Sequence, residues 1–168
     1  MRYFFLTPWR FENSSPSQNL FSLYLNRVHK TLPCEHISPR SAPADKKAAS
    51  QFLLNETNKR RGPGTAIVCL DENGKLLSSR KFADFLESLE AKGFKQAIFC
   101  VGGAYGLPAE IGQNRENLTL ISLSPMTFPH EMALAMLMEQ VYRARTIMGG
   151  HPYHHEDASE LFQAQRKP

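Results

Sequence analysis

The sequence LTLISLSPMTFPH at positions 118–130 decides the fold class of this chain. It begins with a short apolar run, crosses Pro125 and Pro129, and leads into a long apolar stretch that ends at EQVYRA, positions 139–144. A short apolar run between turn residues is typical of a buried strand, whereas a long one is typical of a helix. The pattern predicts a strand, a proline-stiffened loop and a buried helix, and we expect the functional site at this loop.

Two similar apolar runs, at 65–70 and 96–101, lie upstream. We expect a helix at 80–92 between them and a shorter helix at 107–116 after the second run. Strands that alternate with helices in this way indicate parallel strands joined by crossover helices. The earlier part of the chain extends the pattern, with predicted strands at 2–6 and 34–38 and predicted helices at 17–30 and 45–58. The fold class is therefore α/β with a mostly parallel sheet.

Size and composition limit the class of protein. A chain of 168 residues with 42% hydrophobic content can bury one core, which indicates a single domain. The longest apolar run is far shorter than the roughly 20 residues of a membrane span, and the first residues lack the features of a signal peptide. We therefore expect a cytoplasmic protein. Cys34, Cys69 and Cys100 show no paired spacing, which predicts reduced thiols rather than disulfides or a zinc site.

The net charge of +4 is unevenly distributed along the chain. Residues 1–61 contain ten Lys or Arg against four Asp or Glu, so the N-terminal part is the basic part. Such a cluster is typical of a surface that binds a phosphate backbone, but it is also typical of a solvated helix face. The residues that can form this surface are Arg40, Lys46, Lys47, Lys59, Arg60 and Arg61.

The ends of the last three predicted strands carry the residues best suited to a ligand site. In open α/β sheets, ligands bind beyond the carboxyl ends of the strands, which lead here into Leu70, 101–106 and 123–128. The glycines of the second segment permit close approach to a ligand, and a side chain at Gly103 would enter that space. The same glycines also suit a simple tight turn. The sequence contains neither G-x-G-x-x-G nor a phosphate-binding loop motif, which argues against a dinucleotide site and an NTPase.

The predicted helix after Pro129 is apolar on all sides between positions 132 and 138. Such a helix must be covered all round, and we expect a second copy of the chain to cover the side that the sheet leaves open. This predicts a two-fold homodimer formed through the helix at 129–148. The methionines of this helix are interpreted as adaptable packing residues rather than as a cofactor site.

Five motifs in order then point to one family. The motifs are Asp71-x-x-Gly74-Lys75, Gly102-Gly103-x-x-Gly106-Leu107, Met126-Thr127-Phe128-Pro129-His130, Glu139-Gln140-Val141-Tyr142-Arg143-Ala144 and His151-Pro152-Tyr153-His154. With them the chain resembles the RlmH family of SPOUT-class enzymes, which methylate N3 of a pseudouridine in large-subunit ribosomal RNA. The resemblance is strong over 65–156 and concerns only the order of elements before that. It implies one domain over 1–156, followed by a polar extension at 157–168.

The resemblance implies a SPOUT α/β-knot, a mostly parallel sheet with helices on both faces whose C-terminal part forms a trefoil knot. It also implies a homodimer that binds S-adenosyl-L-methionine in the crevice beyond the strand ends. Carried over by position, the cofactor-binding residues are Leu70, Gly102, Gly103, Leu123, Ser124, Pro125, Met126, Thr127 and Phe128.

On the substrate side, the resemblance points to Arg143, Tyr153 and His154 as catalytic residues. A guanidinium can hold a phosphate or stabilise an anionic base, although Arg143 is also spaced for a salt bridge with Glu139. Tyr153 can stack on an extruded base and His154 can move a proton, unless the terminus is frayed. His130 is expected to start the helix rather than to act in catalysis. The terminal histidines lack further ligands at metal-binding spacing, so no metal is expected.

The predicted function is therefore S-adenosylmethionine-dependent methylation of N3 of a pseudouridine in 23S ribosomal RNA, on the assembled ribosome. Two alternatives stay open, namely a SPOUT methyltransferase for another rRNA or tRNA position and a non-catalytic relative that binds RNA. The N-terminal loop departs from the family, because Thr7-Pro8-Trp9-Arg10 stands where relatives have a glycine followed by lysine. The part that this loop plays in RNA contact is left open.

Overall fold

Five strands alternate with helices in the computed structural model, which describes residues 1–12, 14–113, 116–151 and 153. Each strand that the apolar runs predict is present. The strands are β1 (Arg2–Leu6), β2 (Cys34–Ile37), β3 (Thr65–Leu76), β4 (Gln96–Val101) and β5 (Leu118–Ser122). The helices are α1 (Pro16–His29), α2 (Lys46–Arg60), α3 (Ser79–Ala91) and α4 (His130–Met148), with a 3-10 helix at Ala109–Gly112.

Local side-chain chemistry sets the start of three helices. Ser15, Asp45 and Ser78 each precede a helix and accept a hydrogen bond from a backbone N–H of its first turn. These bonds satisfy donors that have no partner inside the helix. α4 begins differently, directly after Pro129 and without a side-chain cap. Its start is therefore set by the proline loop that the sequence indicates.

All five strands are parallel, in the order β2-β1-β4-β3-β5. Neighbouring strands pair residue by residue, as Cys69 does with Cys100 and Leu70 with Val101. The predicted parallel sheet is confirmed. Because β4, β3 and β5 are neighbours, their carboxyl ends open onto the same edge of the sheet, where α/β proteins bind ligands.

Helices cover both faces of the sheet, as the family resemblance implies. On one face α1, α3 and α4 pack over a layer that includes the stacked rings of Phe5 and Phe99. On the other face, α2 and the 3-10 helix pack over a layer that includes Ile67 and Ile98. Alternate strand residues point to opposite faces, so each strand contributes to both layers. The trefoil knot implied by the family resemblance stays a prediction.

Two elements differ from the expectation. The predicted helix at 107–116 is wrong, because the structure has only the 3-10 helix Ala109–Gly112, in which Ile111 is the buried residue. One buried side chain is too little apolar surface to hold a longer helix after a proline. β3 is longer than predicted, but its pairing with β5 shifts register between Leu70 and Lys75. The residues in this shift are polar, so hydrophobic patterning could not detect them.

α4 is covered mainly by its own chain. It packs against both α1 and α3, and Leu134 and Met138 are fully buried without a second copy. These two residues therefore need no second copy to cover them, because the two neighbouring helices already do so, and the dimer through α4 stays a prediction. Met132 is 45% exposed and Met136 is half-buried, so one stripe of α4 remains open.

The three cysteines are buried as free thiols, in agreement with the prediction. Cys69 and Cys100 are fully buried on adjacent strands. Among the described residues, no helix has the length and apolar character needed to cross a membrane.

Replacing Gly74 by Ala should destabilise the fold. A Cβ at this position would lie 2.5 to 2.8 Å from backbone atoms of Ile121, so β3 and β5 would have to move apart. Overpacking of this kind costs about 1–3 kcal/mol. Urea unfolding followed by circular dichroism measures the loss. Gly112→Ala is the matched control, because a Cβ there meets no atom within 4 Å. Equal stability of the two variants would contradict the predicted clash.

Candidate functional site

A cavity of about 420 Å³ lies at the carboxyl ends of β3, β4 and β5. The loops after the three strands converge on it, and the start of α4 closes one side with His130 and Ala133. Of the residues predicted to bind a cofactor, those that line the cavity are Leu70, Gly102, Gly103, Leu123, Ser124, Met126, Thr127 and Phe128. Pro125 is exposed and is not part of the lining. The cavity thus collects eight of the nine predicted positions, while their role stays a prediction.

The loop after β5 is held by its own side chains. The Ser122 hydroxyl donates to the carbonyl oxygen of Ser124 at 2.8 Å, and the backbone N–H of Met126 donates to the Ser124 hydroxyl oxygen at 3.0 Å. Serine bonds of this type stabilise a turn without regular secondary structure. The loop therefore presents its backbone to the cavity in one defined conformation.

The opposite wall carries acidic groups that the sequence did not assign to the cofactor site, although Asp71 begins the first of the five motifs. Asp71 and Glu72 follow Leu70 and line the cavity where β3 loses its register with β5. The Asp71 carboxylate accepts from the backbone N–H of Asn73 at 2.9 Å, which fixes its position. Two carboxylates at the wall favour a ligand that carries positive charge.

The glycines after β4 form a tight turn at the cavity. The backbone N–H of Gly106 donates to the Gly103 carbonyl oxygen at 2.9 Å, and Gly106 has a φ of 71°, which favours glycine. A Cβ at Gly102 would lie 2.6 Å from the Gly106 carbonyl carbon, so the turn excludes a side chain there. A Cβ at Gly103 would instead meet Trp9 at 3.1 Å. The expectation that a side chain at Gly103 would enter ligand space is therefore wrong, because the position faces the tryptophan.

Trp9 is the main residue that the sequence analysis missed. It is only 8% exposed, and its indole N–H donates to the Gly102 carbonyl oxygen at 3.0 Å. Its ring also lies 4.5 Å from the ring of His130, measured between centroids. Trp9 thus connects the loop after β1 to the glycine turn and to the start of α4. The position of this tryptophan in the loop after a strand was a signal, but its meaning depends on β1 lying next to β4.

The predicted substrate-side residues form a second cluster, on α4 and after it. Arg143 donates from Nε and Nη2 to Oε1 of Glu139, at 3.0 and 2.7 Å, so the predicted salt bridge is present. The guanidinium lies over the ring of Tyr153 at 5.0 Å. The Tyr153 hydroxyl donates to Glu139 at 3.2 Å and lies 3.1 Å from the Tyr24 hydroxyl. His154, the third predicted residue, lies outside the described residues.

This cluster and the cavity are not brought together within one chain. Neither Arg143 nor Tyr153 lines the cavity. His130 does line it, and the helix from His130 to Arg143 rises about 20 Å at 1.5 Å per residue. The cofactor residues and the substrate residues predicted from the sequence therefore occupy separate regions of the subunit.

The electrostatic environment of the second cluster keeps the Tyr153 hydroxyl and the Arg143 guanidinium protonated. Burial, the hydrogen bond with Tyr24 and the charge of Glu139 raise the pKa of Tyr153. Burial lowers the pKa of Arg143, but the hydrogen bonds and charge of Glu139 outweigh it and raise that pKa overall. Tyr153 is thus a phenol at neutral pH, able to donate a hydrogen bond or stack, and Arg143 is a fixed cation.

The basic residues that could face RNA are divided between the two ends of α2. Near its end, Lys59 and Arg60 both form salt bridges with Glu56, at 2.5 and 2.7 Å. At its start, Lys46 and Lys47 are exposed, on the side of the sheet edge that carries the cavity. These basic residues therefore form two groups rather than one continuous patch. The group at the start of α2 lies nearer the cavity.

Comparison with known proteins assigns the family. A family model described as "Predicted SPOUT methyltransferase" matches residues 11–154. This chain belongs to the SPOUT methyltransferase family. The matched region contains the cavity, the glycine turn and α4, and the membership predicted from the five motifs is confirmed.

Several relatives of this SPOUT chain carry the name Ribosomal RNA large subunit methyltransferase H. The protein of Nitratidesulfovibrio vulgaris strain DP4 is 47% identical over 95 residues, which cover 56% of this chain and 60% of that protein. The protein of Rhodospirillum centenum is 36% identical over 142 residues, which cover 83% and 90%. The protein of Methylocella silvestris is 44% identical over 114 residues, which cover 68% of each. The match thus spans about 60% of the first relative's length and most of the second.

Ionisation of Tyr153 should require a pH well above 10. Its pKa is raised in the folded protein, so the stability it contributes is present below pH 10 and is lost as the pH rises further. The difference in phenolate absorbance between the wild type and Tyr153→Phe measures this pKa. Glu139→Gln should lower it by removing a negative charge. Glu110→Gln, at an exposed position of the 3-10 helix on the other face of the sheet, should leave it unchanged. Ionisation of Tyr153 near pH 10 in the wild type would contradict the prediction.

Proposed function

We propose that this chain transfers a methyl group from S-adenosyl-L-methionine to N3 of a pseudouridine in large-subunit ribosomal RNA, on the assembled ribosome. The observation that carries the proposal is the cavity at the ends of β3, β4 and β5, built from loops of the region that matches the SPOUT methyltransferase family. The ribosome is the proposed substrate because phosphate contacts by one small chain carry little sequence information.

The residues of the cavity fit this cofactor. A volume of about 420 Å³ falls within the roughly 300–1,000 Å³ of small-molecule sites. Leu70, Leu123 and Phe128 supply apolar surface for the faces of an adenine, and the loop after β5 supplies backbone groups for its edge. Asp71 and Glu72 supply negative charge for the cationic part of the molecule.

When bound, the cofactor supplies a methyl group on a positively charged sulfur. The protein contributes position and electrostatics. The serine-held loop orients the ligand, and the glycine turn permits close approach. The carboxylates at the cavity wall hold the cationic end.

The acceptor base needs groups that the cavity of one chain lacks. We assign these to Arg143, Tyr153 and His154, as the family resemblance implies. The N3 nitrogen of a pseudouridine becomes nucleophilic as its proton leaves, and a fixed guanidinium stabilises the resulting anion. A protonated Tyr153 can stack on the base, and His154 can receive the proton.

A second copy of the chain would bring the two sets of residues together. Arg143 is about 20 Å along α4 from the cavity of its own chain, so the Arg143 of one copy would serve the cavity of the other. Met132, Met136, Glu139 and Arg143 follow one another at helical spacing along the open stripe of α4. On the neighbouring α1, Leu20 and Leu23 are 43% and 46% exposed. An apolar surface of this kind supports a two-fold dimer through α4.

The isolated protein should bind S-adenosylmethionine or its demethylated product in the cavity. Isothermal titration calorimetry measures the affinity. Leu123→Arg should weaken binding more than about tenfold, because a long cationic side chain would occupy the apolar wall. Leu120→Arg is the control, since Leu120 is 42% exposed on β5, three residues before Leu123, and does not line the cavity. Absence of a heat signal at millimolar ligand, with a folded protein, would refute the cofactor assignment.

Mixed dimers should show whether the site is built from two copies of the chain or within a single chain. Leu123→Arg and Arg143→Ala dimers should each be inactive in methyl transfer to purified ribosomes. After unfolding and refolding as an equal mixture, about a quarter of wild-type activity should return, because half of the dimers carry one intact site. Mass mapping of the rRNA identifies the methylated nucleotide.

Failure of the mixture to regain activity would locate the site within one chain. An inactive wild type, with folding and cofactor binding verified, would overturn the proposed reaction. Light scattering of the wild type provides an independent measurement of dimer formation, against a chain mass of 19.0 kDa.

A further inference from the structure

A second cleft lies beside the cavity, on the other side of the glycine turn. It has a volume of about 200 Å³ and is bounded by Trp9, the start of α2 and the residues around Tyr105. Gly103, Ala104, Gly106 and His130 line both the cleft and the cavity. A molecule in the cleft would therefore be separated from one in the cavity by a single turn of backbone. We call this space the side cleft.

Tyr105 stands at the side cleft with its ring largely in solvent. It is 62% exposed, whereas Trp9 on the facing loop is 8% exposed. Within the part of the chain that the structure describes, no hydrogen bond or ring contact engages Tyr105. The turn that carries it is nevertheless fixed by the hydrogen bond between Gly106 and Gly103. An exposed aromatic ring on a fixed turn does little for folding and is well placed to stack on a flat partner.

The opposite side of the side cleft is basic. Lys46 lines it and Lys47 follows, both exposed in the first turn of α2. Cations are unfavourable at a helix N-terminus, because the helix dipole is positive there. Folding alone therefore does not explain two lysines at this place. Asp45 also lines the cleft, but its carboxylate is engaged by the backbone N–H of Ala48 at 2.7 Å.

The loop after β1 adds a further cation to this region. Arg10 follows Trp9 directly, and its guanidinium is exposed while donating to the Arg40 carbonyl oxygen. This bond connects the loop after β1 to the segment that precedes α2. The positive charges are therefore carried by segments that are joined to one another, beside an exposed aromatic ring.

We propose that the side cleft binds the nucleotide that neighbours the acceptor nucleotide in the RNA. The base of this neighbouring nucleotide would stack on Tyr105, and its phosphate would lie near Lys46 and Lys47. The inference rests on the proposed function, since it requires an RNA substrate. An exposed aromatic ring beside cations is the combination that binds single-stranded RNA. The cleft is smaller than the roughly 300–1,000 Å³ of sites for drug-sized ligands, so it suits one planar base rather than a second cofactor. The shared turn sets the neighbouring nucleotide beside the reacting one.

Variants of Tyr105 test the stacking. The dissociation constant for purified ribosomes, measured by filter binding, should rise about 5- to 150-fold in Tyr105→Ala, the range expected for loss of one base–aromatic stack. Tyr105→Phe should stay within about twofold of the wild type, because the ring is retained. Tyr105→Leu keeps an apolar side chain without the aromatic face and should resemble Tyr105→Ala. Cofactor affinity should be unchanged in all three variants.

Variants of the lysines test whether these side chains neutralise phosphates. The combined change Lys46→Ala and Lys47→Ala should reduce the salt dependence of RNA binding, by about 0.7 in the log–log slope for each phosphate that the protein no longer neutralises. Lys92→Ala, at an exposed position after α3, is the matched control and should leave the slope unchanged. Ultraviolet cross-linking followed by mass spectrometry should identify the peptide that contains Tyr105 as joined to RNA.

Four outcomes would overturn the inference. Unchanged RNA affinity of Tyr105→Ala would exclude stacking in the side cleft, and equal loss of cofactor affinity would make Tyr105 a cofactor residue. If Lys92→Ala reduced the salt dependence of RNA binding as much as the double variant, the lysines would act through overall positive charge and not through a defined site. Binding of an acidic peptide in place of RNA would identify a protein partner. Because RNA binding is measured directly, a chain that binds RNA through Tyr105 without methylating it would refute only the proposed reaction.

Discussion

Parallel pairing of β4, β3 and β5 is the constraint on which the site depends. Parallel strands end at the same edge of a sheet, so loops that are far apart in the sequence meet there. β5 reaches this edge only by pairing with β3, and the register shift after Leu70 turns Asp71 and Glu72 into the cavity wall. An antiparallel β5 would carry the loop before α4 to the opposite edge, and the cavity would not exist.

α4 sets the distance between the cavity and the cluster around Arg143 within one subunit. Its first turn lines the cavity, whereas Glu139 and Arg143 lie toward its other end with Tyr153 packed beside them. A packed helix is rigid, so this separation is a fixed distance rather than one that a loop movement removes. The fold thus separates the predicted cofactor residues from the predicted substrate residues, and this separation is the physical reason for proposing a shared site between two copies.

The loop after β1 helps to hold the site together. Its departure from the family pattern does not suggest this role. Trp9 donates to the Gly102 carbonyl oxygen and packs on His130, so the glycine turn and the start of α4 are held by the same side chain. Glu131 adds to this connection, since it accepts from the backbone N–H of Glu12 and from the Ser15 hydroxyl, at 3.0 and 2.8 Å. Because the turn separates the cavity from the side cleft, the tryptophan also supports the wall between the two spaces.

The sequence alone was sufficient for the fold class, the five strands, the four long helices and the family, because hydrophobic periodicity and ordered motifs are local properties of a chain. It failed at 107–116, where one buried residue could not hold a helix, and it did not reveal that neighbouring helices cover Leu134 and Met138. Only the tertiary structure decided that Gly103 faces Trp9, that Trp9 holds the glycine turn, and that the predicted substrate residues lie away from the cavity. Strand order and helix packing join distant parts of the chain, and no local pattern of residues records them.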